Sequence, residues 1–117
     1  VYPASFENAL GVASTGMEDV RSDFSNFGAD LVNLAAPGEG LITTYPGGRY
    51  AAAWGTSFSS ALVSGAAAVL LSVARHTNQY DAEDAMANAQ ALGAEMGFGR
   101  LDLYKAIRAR QKASGVR

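Results

Sequence analysis

Trp54-Gly55-Thr56-Ser57-Phe58-Ser59-Ser60 leads directly into Ala61-Leu62-Val63-Ser64-Gly65-Ala66-Ala67-Ala68, and this junction decides the fold. A Gly-Thr-Ser turn followed by a long apolar run predicts a helix from about Ser57 to Ala74. No charged side chain occurs between Tyr50 and Ala74, so this helix is expected to be buried nearly all round. Arg75 and His76 are expected to close it, as cations at the negative end of the helix dipole. Ser57 then stands at the helix N-terminus, where free backbone N–H groups suit an oxyanion. Two roles are open to it. It is an N-cap, a common task for serine, or a nucleophile whose own N–H helps to hold the developing charge.

The segments before the junction read as short strands. Ala9 to Ala13 and Leu31 to Leu34 are apolar runs of strand length, separated by a Ser-, Gly-, Asp- and Asn-rich loop over residues 14–28. Ala36-Pro37-Gly38 stops the second. Leu41 to Tyr45 and Arg49 to Trp54 flank Pro46-Gly47-Gly48, which predicts a hairpin. After the junction, Asp81 with Asp84 three residues on predicts a capped helix over Asp81 to Gln90. Gly97-Phe98-Gly99 breaks the chain before a last helix over Leu101 to Ala109. Short strands around one apolar helix imply an α/β layered core.

Composition narrows the chemistry. Hydrophobic residues make up 49% of the 117 and charged residues 17%, which excludes a disordered chain. The absence of cysteine excludes a disulfide framework, a thiolate nucleophile and a Cys-based zinc site. The chain starts at Val1-Tyr2-Pro3, without methionine, and reads as a processed product or a piece of something longer. Its longest apolar run, Ala61 to Ala74, is short of the roughly 20 residues of a membrane span. Residues 100–117 hold six basic side chains against one acidic, leaving −7 for residues 1–99. The basic end is expected to complement its own helix dipole and continue as a solvated tail over residues 110–117. Neither a nucleic-acid nor a membrane partner is expected.

Other nucleophile and phosphate motifs fail. A Gly-x-Ser-x-Gly elbow needs glycine where Ser59 stands, and no Gly-x-x-x-x-Gly-Lys-Ser/Thr loop is present.

Gly55 to Ala68 resembles the nucleophile segment of the subtilisin-like serine peptidases. Other segments resemble that family in its own order: Tyr2-Pro3-Ala4 with Ala9 to Ala13, Asp23-Phe24-Ser25-Asn26-Phe27-Gly28, Leu34-Ala35-Ala36-Pro37-Gly38, and Gly97-Phe98-Gly99-Arg100-Leu101-Asp102. The resemblance implies that residues 1–109 are the C-terminal part of a subtilisin-like fold, a mostly parallel sheet with a central buried helix and a β-hairpin. It implies that Ser57 is the nucleophile, with Thr56 and Gly55 at the oxyanion site. Tyr2 and Pro3 would lie near the pocket for the residue before the scissile bond, joined by a cis peptide. Ala61 replaces the family's usual proline, a change that helix formation tolerates. Asn33 stands where the family often has aspartate near a weak cation site. No metal or other cofactor is expected in this chain, although the resemblance admits calcium in the longer protein.

A serine nucleophile needs a base within hydrogen-bond reach. The single histidine, His76, lies 19 residues after Ser57, roughly 28 Å along a helix. The family's Asp and His precede its Ser, ahead of where this chain begins. The expectation is therefore the nucleophile-bearing half of a serine endopeptidase, inactive alone, whose longer form cuts peptide or protein substrates. A non-catalytic subtilase-like domain serving assembly or binding is the alternative. The uncharged helix is expected to be covered by the upstream half or by a second copy of the chain. Secretion or another extracytoplasmic location is what the resemblance favours.

Overall fold

A computed structural model describes residue 4 and residues 6–28 and 30–115. Two strands, β1 (Val12–Thr15) and β2 (Leu34–Pro37), pair in parallel, with Val12 opposite Leu34 and Thr15 opposite Pro37. Both begin later than their apolar runs suggest. Ser14, near the end of β1, lies inside the strand because the following loop satisfies it. Ser14 N–H donates to Ser25 Oγ at 2.9 Å, and the Ser14 and Ser22 hydroxyls share a hydrogen bond of 2.8 Å. Ahead of β2, the Leu31 and Val32 N–H groups turn back to the Gly28 carbonyl, so those residues form a turn. Pro37 ends the ladder where a missing N–H does no harm.

The hairpin forms as expected. Strand β3 (Leu41–Tyr45) pairs antiparallel with β4 (Arg49–Ala53), and Trp54 falls just beyond. It is a separate two-stranded sheet. A single parallel bridge from Ala35 to Arg100 extends the β1–β2 sheet.

Helix α1 (Thr56–Val73) packs across β1 and β2. Its buried stripe is Ser59, Val63, Ala66 and Leu70, at helical spacing. Val63, Ala66 and Leu70 join Leu34 and Ala36 of the sheet, Ala82, Ala85 and Met86 of α2 (Gln79–Met86), and Ala106 of α3 (Leu103–Ser114). The other face of the sheet carries a smaller cluster of Ala13, Val32, Ala35 and Met96. All-round burial of α1 is not met within this chain. One sheet and two short helices cover a single stripe, and Leu62 and Leu71 remain exposed. By length and composition α1 could cross a membrane, a correction to the apolar-run estimate. Its packing on the sheet gives it instead the role of a layer helix.

The helix ends differ in detail from the sequence reading. Asn78, rather than Asp81, caps α2. Its side chain accepts from Asp81 N–H at 2.9 Å while its own N–H donates to Asp81 Oδ2 at 3.0 Å. This is a reciprocal capping box. The expected tail from residue 110 is helical as far as Ser114, and Arg110 is buried. Its Nε donates to Thr77 Oγ1 at 2.8 Å, which ties α3 to the turn after α1. That bond and the aliphatic stem draw a basic residue inward.

Candidate active site

The carboxyl ends of β1 and β2 meet the N-terminus of α1, and Gly38 is the joint. Its N–H donates to the Thr15 carbonyl at 3.1 Å, and its carbonyl accepts from Gly55 N–H at 2.8 Å. A Cβ on residue 38 would collide with the Ser14 and Ser59 hydroxyls and sit 2.9 Å from the Gly55 carbonyl oxygen. Only glycine lets three elements come this close. One residue earlier, the Pro37 carbonyl accepts from Ser59 Oγ at 3.1 Å.

Gly55 is the N-cap of α1, at φ 150° and ψ 153°, a region nearly reserved for glycine. Its carbonyl takes the Phe58 and Ser59 N–H groups at 3.1 and 3.4 Å. Ser57 is therefore not the cap but the second helical residue. Among the described residues, nothing accepts the Thr56 and Ser57 N–H groups, and nothing bonds the Ser57 hydroxyl. Ser57 is exposed, with no acidic side chain in the first turn. The arrangement presents a free hydroxyl beside free backbone donors at the positive end of an 18-residue helix.

The structure brings Gly55, Thr56 and Ser57 together on this turn. Tyr2 and Pro3, with their expected cis bond, lie outside the described residues. His76 sits beyond the opposite end of α1. Ser57 and Val73 are already separated by about 24 Å along the axis. His76 is exposed and does not cap the helix. That task falls to Thr77, whose Oγ1 donates to the Ala74 carbonyl at 2.6 Å. No cluster of His, Cys, Asp or Glu able to hold a metal occurs among the described residues. Asn33 is a poor cation ligand: it is neutral, and its Oδ1 already accepts from Gly11 N–H at 2.8 Å.

Sequence reasoning missed Ser59. Its signal was a lone hydroxyl on a buried stripe otherwise made of Val, Ala and Leu. A buried hydroxyl needs a partner.

Residues 1–107 match the subtilase family, Peptidase S8. The chain is similar to thermitase of Thermoactinomyces vulgaris, 38% identical over 108 residues, which is 91% of this chain and 38% of thermitase. It is also similar to subtilisin Savinase of Lederbergia lenta, 44% identical over 69 residues, 59% of this chain and 25% of that one. Among solved structures it superposes on a protease from Pseudoalteromonas arctica with TM-score 0.86 and 25% identity, over 93% of this chain and 38% of that one. It superposes on the self-cleaved protease domain of PatA with TM-score 0.83 and 29% identity, over 95% and 44%. The chain thus spans less than half the length of these relatives.

Proposed function

The chain belongs to the subtilase family of serine peptidases, and on that footing we propose that it is the nucleophile-bearing C-terminal part of a serine endopeptidase. Ser57 Oγ attacks the carbonyl carbon of a peptide bond while a base takes its proton. The carbonyl oxygen gains the negative charge, and the Ser57 N–H stabilises it, with the Thr56 hydroxyl in support. Collapse expels the amine, which receives the proton from the base and leaves an acyl ester on Ser57. Water, deprotonated by the same base, releases the second product and restores the serine.

The base is an imidazole supplied by sequence upstream of this chain, oriented by an upstream aspartate. His76 is too distant to serve, so residues 1–117 alone do not hydrolyse peptides. The upstream part also covers the exposed side of α1, where Leu62 and Leu71 face outward. We place any calcium of the longer protein away from Asn33, and the working protein outside the cytoplasm.

The free Ser57 hydroxyl beside unpartnered N–H groups on a turn fixed by Gly38 and Gly55 carries this reading. The test is peptide hydrolysis by the full-length protein. Ser57→Ala should abolish turnover, by about 10³-fold or more. Turnover that survives the substitution refutes the assignment.

A further inference from the structure

The hairpin that leads into the Ser57 turn has one apolar face on which, among the described residues, nothing packs closely. Side chains alternate along β4: Ala51 and Ala53 point inward, whereas Tyr50 and Ala52 point outward. Trp54 continues the outward series one residue past the strand. Across the ladder, Ile42 stands opposite Ala52 and also faces out. Tyr50 is 75% exposed, Ile42 74% and Trp54 60%. Three large apolar side chains on one face of a small sheet do not serve this chain's own core. Exposed apolar surface of this kind marks a site of interaction.

The position of the strip points to its occupant. Trp54 precedes Ser57 by three residues, so their Cα atoms lie within about 11 Å. That puts an exposed indole beside the turn that carries Ser57. Tyr50, Ala52 and Trp54 repeat every second residue, the same repeat an extended peptide presents. No charged side chain interrupts residues 50–57, so the strip suits an uncharged apolar segment. Tryptophan offers a large contact area and loses little rotamer entropy on binding.

We infer that Trp54 is a specificity-determining residue, whose indole receives an apolar or aromatic substrate side chain at one position flanking the bond cut at Ser57. The inference rests on the assignment of Ser57 as nucleophile.

The test is competition between peptides in one tube, using the full-length protein. The peptides differ only in Gly, Leu, Phe or Asp at one position, and the panel walks along both sides of the cleaved bond. Competition returns ratios of kcat/KM that do not depend on the folded fraction of a variant. Wild type is expected to favour Leu and Phe over Gly and Asp at one position. Trp54→Ala should cut that preference about tenfold or more, and Trp54→Phe should restore most of it. Unchanged ratios in Trp54→Ala, or a wild type without apolar preference at any position, overturns the inference. Ser57→Ala is run beside them. Cleavage that persists in that variant defeats the nucleophile assignment, and the inference with it, and is distinct from unchanged ratios in a Ser57-dependent enzyme.

Discussion

The Ser59 hydroxyl donates to the Pro37 carbonyl at 3.1 Å and fastens the first turn of α1 to the end of β2. Ser57 sits two residues before this bond, so the bond holds the turn that carries Ser57.

Ser59→Ala leaves the Pro37 carbonyl without that donor inside the protein. A loss of about 1–2 kcal/mol in unfolding free energy is expected, measured by urea titration of the full-length protein. Turnover should also fall, because the turn is less firmly placed. A variant as stable and as active as wild type would show that the bond contributes nothing.

Gly38→Ala is expected to be worse. Its methyl group meets two hydroxyls and the Gly55 carbonyl at once, and overpacking of this kind costs about 1–3 kcal/mol or more. Adding Ser59→Ala removes one colliding hydroxyl and should recover part of the loss. The double mutant is therefore less damaged than the sum of the single changes. Thermal melts of the four proteins check the sign of the coupling.

Asn78→Ala removes the side-chain half of the capping box on α2 and leaves the backbone N–H of residue 78 on Asp81 Oδ2. About 1 kcal/mol of stability should go, with no change in the selectivity or chemistry of a site at the other end of α1. A matched fall in turnover at saturating substrate would contradict that separation.

These positions also separate what the sequence could tell from what it could not. The junction at Gly55 to Ala68, the hairpin around Pro46-Gly47-Gly48 and the α/β layering were legible, because turn chemistry and apolar patterning are local. Strand positions were not. Ser14 read as loop, yet it is buried, since Ser22 and Ser25 arrive from the following loop to bond it. Arg110 read as tail because its charge is visible in sequence and its partner Thr77, 33 residues away, is not. His76 and Asp81 each stood near a helix end and resembled caps. The neighbouring Thr77 and Asn78 hold the geometry instead. In the candidate site, the place of Ser57 at the start of α1 was legible in its segment, whereas Ser59 and Gly38 are held by contacts between distant parts of the chain.

The outward face of α1 gives a further expected outcome. Residues 1–117 expressed alone should self-associate or bind a hydrophobic dye, since Leu62 and Leu71 are exposed. Supplying the upstream part in trans should suppress both. A monodisperse monomer in light scattering, with no dye binding, would contradict the assignment of that face to a partner.

The most direct measurement is the site of covalent labelling. The full-length protein is treated with a fluorophosphonate, digested, and mapped by mass spectrometry. The expected result is one stoichiometric adduct on Ser57, with labelling and peptide hydrolysis lost together as the adduct forms. An active enzyme that carries no adduct on Ser57, or one whose adduct falls on another residue, would contradict the account.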